Sequence, residues 1–308
     1  MNDQPGRRML LVHAHPDDET LGNGATMAKY AAEGAQVTLL TCTRGEEGLV
    51  LVPELEQLAA HRDDRLGAHR ETELAAAMAA LGVRDHRFLD TVALPADQGR
   101  IRYRDSGMVW DADHRAVAAP DTGPDAFARV EVDAAAARVA AVIREVRPQV
   151  VITYNENGGY GHPDHIQAHR VAVAAFDAAG DPGRYPGTGD PWRPSKLYYT
   201  AFPVSFLRMG YDALKAMGEE APFGVTSPEE LTFGDPDETI TTEIDARDHL
   251  EAKLDAMRAH ATQIEVDGPF FALSNHIGHR AFGMEFYRLV RGTPPTAGTR
   301  ETDLFEAV

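Results

Sequence analysis

At 308 residues with 43% hydrophobic content, the chain can bury a full core, as one large α/β domain or as a domain with an elaborated C-terminal part. Its formal net charge of −18 argues against nucleic acid, which needs a basic face to displace counterions, and against anionic membrane surfaces. No run reaches the roughly 18 apolar residues of a membrane-spanning helix, and the polar start, residues 1–8, lacks the apolar region of a signal peptide; a soluble cytoplasmic protein is expected. The single Cys42 excludes an internal disulfide and any cysteine-rich metal cage, so metal chemistry must rest on His, Asp and Glu. Cys42 lies in an apolar run and reads as a small buried hydrophobe.

Strand-like and helical segments alternate through the first 180 residues. The apolar run 9–13 predicts a strand and 25–32 a helix ending at Gly34. A strand at 37–42 is followed by a helix over 66–81, with Leu74, Ala77, Met78 and Leu81 on one face and Gly82 at its end. A short strand at 87–89 precedes a helix over 126–146 that carries Val139, Val142, Ile143 and Val146 as a stripe and stops before Pro148; a strand at 150–154 follows. Short continuous apolar strands suit a sheet covered on both faces. The alternation implies parallel strands joined by right-handed crossovers. The expected fold is therefore α/β, a Rossmann-like, mostly parallel sheet with helices on both faces. After Gly180 the texture changes: 181–194 is Pro/Gly-rich, then come a strand at 197–202, a helix near 206–217, a strand near 239–244 and a helix near 247–261. Residues 1–180 read as the core and 181–308 as a smaller α/β part packed on it and helping to shape the pocket. The tail after Gly292 is expected to be poorly ordered.

Two loops carry the chemistry. HAHPDDE, from His13 to Glu19, and GGYGHPDH, from Gly158 to His165, each follow an apolar strand and precede a helix. In an open α/β sheet such strand-end loops are where ligands collect. In the first loop, His15 and Asp18 stand three apart, so an imidazole nitrogen and a carboxylate oxygen can face one cation. Asp17 is left over. A spare carboxylate beside a metal-bound water is what a general base requires, although an Asp-Asp-Glu run can equally cap the next helix. Glu19 serves that helix or orients a ligand. In the second loop His162 and His165 flank Pro163-Asp164. One of them can complete a His, Asp, His site with open positions, as catalytic metals have; the other is then free to donate a proton or hydrogen bond, with Asp164 holding its ring. His169, four after His165, is a rival ligand, but the loops already supply three, and a partly exposed helix histidine is expected there.

HPDDE after the first strand, the Arg-x-x-Glu-x-x-x-Ala pattern from Arg70, and GxHPDH after a later strand resemble the LmbE-like (PIG-L) family of metal-dependent amidohydrolases. CTRGEEG, RDSGM, TYNENGGYGHPDH, AHATQ and ALSN extend the likeness to Asn275. They are similar to the branch that deacetylates N-acetyl-glucosaminyl-inositol in mycothiol biosynthesis. Gly161, where the S-conjugate amidase branch has proline, and the segment 49–67 favour the deacetylase branch over that amidase or a deacetylase of another aminosugar.

The resemblance implies that His15, Asp18 and His165 hold the metal, Zn²⁺ by default with Fe²⁺ also suited to two histidines and a carboxylate. It implies Asp17 as base, His162 as the residue that stabilises the oxyanion and assists the leaving amine, Asp164 as its orienter, and Tyr160 as a mobile residue closing over the intermediate. Arg70 and Asp105 would grip hydroxyls of a small aminosugar-inositol substrate. Without the resemblance, Tyr160 reads as a loop aromatic, Arg70 as a helix salt-bridge partner and Asp105 as an Asx-turn former. A non-haem iron oxygenase and a metal-dependent sugar-binding module are the competing classes. The spare Asp17 speaks against both.

Overall fold

A computed structural model describes residues 6–95, 97, 101–110, 116–120, 122–225, 233–296 and 298–308. In chain order its elements are β1 (Arg8–His13), α1 (Asp18–Ala32), β2 (Gln36–Thr41), α2 (Leu66–Ala80), β3 (Asp85–Phe88), β4 (Met108–Trp110), β5 (Ala116–Ala118), α3 (Val132–Val146) and β6 (Val150–Thr153). There follow α4 (Gly158–Gly161), α5 (Pro163–Ala178), β7 (Lys196–Ala201), α6 (Val204–Met217), β8 (Thr242–Asp245), α7 (Leu250–Ala259), β9 (Glu265–Asp267), β10 (Phe270–Ala272), β11 (Gly278–Arg280) and β12 (Met284–Arg291).

Seven strands form one sheet in the order β3-β2-β1-β6-β7-β12-β8. The first five are parallel, and β12 runs antiparallel to both β7 and β8. The expected mostly parallel α/β sheet is what forms, and three of its strands come from beyond residue 180. Alternate residues of β1 enter opposite cores. Leu10 and Val12 pack with Val139, Ile143 and Val171 of α3 and α5; Met9 and Leu11 pack with Ala25, Leu74 and Ala256 of α1, α2 and α7. Both faces exclude water, which is why the strand is apolar without alternation. From β1 the order runs outward through β2 and β3, and from β6 outward through β7. Their shared edge is a topological switch point, where the strand-end loops diverge and leave a crevice.

Four expectations are corrected. Helix α1 begins at Asp18 rather than residue 25; its first turns are polar and contain Gly22, where a Cβ would lie 3.0 Å from Thr200 Cγ2, so close packing hides the apolar period. Helix α3 begins at Val132 because Glu131 is extended, with ψ 125. Strand β12 was not foreseen. The tail is not loose: Lys196 and Glu301 form a buried ion pair at 2.6 Å, the Tyr198 hydroxyl donates to Glu301 at 2.7 Å, and Leu304 is fully buried. Among the described residues no helix is long and apolar enough to cross a membrane.

Candidate active site

The loops after β1 and β6 begin side by side at the switch point and bring His15, Asp18 and His165 together. His15 Nδ1 lies 3.3 Å from Asp18 Oδ2, His165 Nε2 lies 3.2 Å from Asp18 Oδ1, and the two imidazole nitrogens are 3.3 Å apart. His165 faces Gly158 O through Nδ1 at 3.1 Å. That contact places the proton on Nδ1 and leaves the Nε2 lone pair toward the cluster. The approach depends on Gly158, φ 63, where a Cβ would stand 2.7 Å from His165 Cβ. Asp18 Oδ2 is held by the His15 amide at 2.8 Å and the Tyr154 hydroxyl at 2.7 Å.

These donors fit a divalent cation. Tetrahedral ligands at Zn–N and Zn–O bond lengths stand about 3.3–3.5 Å apart, close to the spacing found here. His15 completes the pattern on its far side, with Nε2 3.3 Å from Asp164 Oδ2 and 3.5 Å from Asp105 Oδ1. Carboxylates behind a histidine fix its tautomer and strengthen it as a ligand. Burial works against charge on His15, but Asp105, Asp164 and Asp18 outweigh it and raise its pKa well above the ordinary value. Burial would raise Asp18, yet His165 and His15 hold it well below the usual carboxylate range. A cation at the same point would feel the same pull.

Asp164 does not hold His162 through its carboxylate, as expected from the loop pattern. Fully buried, the carboxylate accepts from the Ser106 amide at 2.8 Å and from the Ser106 hydroxyl, and faces His15. Two donors on Ser106 claim it first. The backbone amide of Asp164 instead donates to His162 Nδ1 at 3.1 Å. With Nδ1 accepting, the proton of a neutral imidazole sits on Nε2. Burial and the neighbouring His15 and His165 lower the His162 pKa well below its ordinary value, so the ring is a neutral donor. His162 can share a small space with His15 and His165, but an Nε2 that carries its proton is no ligand.

Asp17 stands at the start of α1 without capping it: its side chain makes no cap hydrogen bond, and Thr20 N and Leu21 N take its carbonyl instead, each at 3.0 Å. Its backbone is strained, with φ 114 and ψ −33. Burial, then the adjacent Asp18, push its carboxyl up to about 8, against the pull of His260 and Arg70. Tyr160 is 36% exposed at the rim, its ring 5.2 Å from that of His165. Arg70 is buried and donates to the carbonyls of Gly45 and Leu49, with Nε unpartnered among the described residues. Asp105 accepts from Gly107 N at 2.9 Å and Glu47 N at 3.2 Å. His169 is turned away, with Nδ1 on Tyr154 O at 3.0 Å, and takes no place in the cluster.

Tyr154, Ser106 and His260 had no role assigned from sequence. All three lie inside motifs that stood out, TYNENGG, RDSGM and AHATQ, but a motif does not say which side chain turns inward. Beside the cluster opens a cavity of about 440 Å³, bordered by Asp18, Tyr160 and His165 at one end and by Phe202, Phe206 and Phe271 elsewhere.

Residues 10–176 match the family described as PIG-L, GlcNAc-PI de-N-acetylase. The chain belongs to the PIG-L family. A relative from Geodermatophilus obscurus, a 1D-myo-inositol 2-acetamido-2-deoxy-alpha-D-glucopyranoside deacetylase, is 58% identical over 302 residues, 98% of either chain. A protein of the same name from Thermobispora bispora is 56% identical over 289 residues, 94% of this chain and 89% of its own. Among solved structures, the N,N'-diacetylchitobiose deacetylase from Pyrococcus horikoshii aligns with a TM-score of 0.58 at 17% identity, covering 95% of this chain and 88% of that one. GalB, the 4-carboxy-2-hydroxymuconate hydratase from Pseudomonas putida, aligns with a TM-score of 0.55 at 19% identity, covering 94% and 100%. Those two likenesses concern the fold. Since a hydratase shares it, the PIG-L chemistry must be argued from the site.

Proposed function

We propose that this chain is a metal-dependent N-deacetylase that converts 1D-myo-inositol 2-acetamido-2-deoxy-α-D-glucopyranoside to the free glucosaminyl-inositol and acetate, a step of mycothiol biosynthesis. The observation that carries the reading is near full-length identity of 58% and 56% to proteins of that name, joined to a free carboxylate beside a cation-sized donor triangle. Gly161 supports the deacetylase branch over the amidase: its φ of 101 is closed to proline, whose ring holds φ near −65°.

His15, Asp18 and His165 would hold the metal, zinc with iron(II) as the second candidate. A bound divalent cation supplies Lewis acidity and a water of lowered pKa. Asp17, free of any capping bond, takes the proton from the attacking water. His162 Nε2–H and the Tyr160 hydroxyl donate toward the oxygen on which negative charge develops, and each such donor contributes on the order of 3 kcal/mol to the transition state. Asp17, now carrying the water's proton, passes it to the departing amine, which His162 assists as a neutral hydrogen-bond donor. Arg70, whose Nε has no partner among the described residues, and Asp105 are the proposed grips on sugar and inositol hydroxyls. No nucleic acid or membrane enters this scheme.

The test is acetate release from the pure N-acetyl-glucosaminyl-inositol, before and after chelation, with zinc or iron(II) added back anaerobically. Turnover abolished by chelator and restored by one of the metals is expected. Chelator-insensitive turnover, or none on this substrate beside turnover of another N-acetylaminosugar, would overturn the reading.

A further inference from the structure

One fully buried pair adjoins the site without a role so far. His260, immediately after α7, places Nε2 2.9 Å from Glu19 Oε1, and both side chains are sealed from solvent. Thr20 Oγ1 donates to the same oxygen at 2.6 Å. The second oxygen, Oε2, accepts the backbone amide of Asp17 at 3.0 Å. His260 is itself anchored, since the amides of Gln263 and Ile264 both donate to its carbonyl at 2.9 Å. A chain of contacts thus runs from the end of α7 through Glu19 to the main chain of the proposed base.

What that contact holds is unusual. A helix N-cap ordinarily has extended backbone, and its side chain accepts from the amide two or three residues on. Asp17 occupies the N-cap position with φ 114 and ψ −33 and makes no such bond. A non-glycine residue keeps such a backbone only when its surroundings impose it. Relaxed to the ordinary extended cap, Asp17 would turn its carboxylate onto the amides of α1 and away from the site.

We propose that His260 is a positioning residue for the reaction: through Glu19 it locks the Asp17 main chain in the strained conformation that keeps the Asp17 carboxylate off the helix and on the attacking water. The inference rests on the deacetylase reading and deepens it. With both oxygens hydrogen-bonded the buried Glu19 carboxylate is held in one orientation, and His260, with the Thr20 hydroxyl on the same oxygen, fixes it. The conformation that makes Asp17 a poor cap is the one that makes it available as a base.

The experiment is a double-mutant cycle read by kcat, KM and bound metal, paired with a crystal structure. His260→Ala is expected to lower kcat on the order of 10–100-fold, as the loss of an outer-shell partner does, with KM within about twofold and metal content unchanged. His260→Gln restores a donor near the Nε2 position and recovers most of kcat. In an Asp17→Asn background His260→Ala should cost nothing further, because residues acting through one another are not additive. The crystal structure of His260→Ala should show Asp17 relaxed to negative φ. Equal losses in both backgrounds, a loss that tracks metal content, or an unchanged Asp17 backbone would each overturn the proposal. If the unpaired Glu19 carboxylate unfolds His260→Ala, the combination of Glu19→Leu with His260→Leu removes both polar groups and carries the same expectations. Wild-type protein inactive on the inositol conjugate would fail the deacetylase reading alone, and the Asp17 backbone in the variant would still decide this one.

Discussion

The hydroxyl of Tyr154 donates to Asp18 Oδ2 at 2.7 Å while accepting the amide of Ala14 at 2.8 Å. One side chain at the end of β6 thereby ties the loop after β1 to the proposed metal ligand across the switch point. Burial, then the Asp18 charge, push its pKa well above the ordinary value, so the phenol remains a donor at any working pH. Tyr154→Phe keeps the ring stacked on His165 and deletes the donor. Affinity for zinc should fall about 10–100-fold, measured by competition with a chromophoric chelator. Unchanged affinity would mean that the His15 amide alone orients Asp18.

His165 and His162 should separate cleanly. His165→Ala removes a donor of the triangle and should strip bound metal. His162→Ala should retain metal by elemental analysis and lose kcat, because only an interaction made in the transition state has gone. Equal metal loss in the two variants would make His162 the ligand.

Asp17→Asn preserves shape and capping capacity, since Asn and Asp cap about equally well, and removes proton acceptance. Metal content and melting temperature should hold while kcat falls by about 10²–10⁴. The base must be ionised to act, and burial with Asp18 raises its pKa toward about 8, so activity rises with pH through this group. A nearby cation moves that limb to lower pH. The acidic limb of kcat/KM should vanish in the variant; a variant that turns over normally but melts earlier would return Asp17 to a structural role.

The Lys196–Glu301 pair, 1% and 2% exposed, gives the tail a measurable part in stability. Glu301→Ala leaves a buried ammonium without its counter-charge and should cost about 3–5 kcal/mol in urea unfolding. A change below about 0.5 kcal/mol, typical of exposed surface positions, would mean that the tail is as loose as its composition suggests.

His279 on β11 has its pKa lowered to about 4 by burial. A depressed folded-state value means that the unfolded chain binds more protons between about 6.5 and 4. The contribution is therefore fully present above about pH 6.5 and is lost as pH falls toward 4, up to about 3 kcal/mol. His279→Phe should flatten the stability profile over that window, read by urea midpoints at several pH values. A parallel curve would assign the acid sensitivity to other groups.

Much of this was legible locally. The runs at 9–13 and 150–154 became β1 and β6 with boundaries within about a residue, because a strand buried on both faces must be apolar throughout. Helix α1 was read seven residues short, since Asp18, Glu19 and Asn23 look polar until their partners are known. Strand β12 was missed: it closes the sheet by pairing with β7 and β8, a long-range partnership that a local pattern does not encode.

The sequence by itself determined the donor types, their spacing within each loop, and the family, because each loop's chemistry is local and its residue types have few alternative uses. Only the tertiary structure decided which atoms face one another. It put one Asp18 oxygen on each of the two histidines, turned Asp164 to His15 and Ser106 instead of His162, and sent His260 from 241 positions away onto Glu19. The physical reason is that a hydrogen bond is fixed by position and angle to within a few tenths of an ångström. Such precision between distant segments is set by how the sheet and helices pack, and no spacing within a motif carries it.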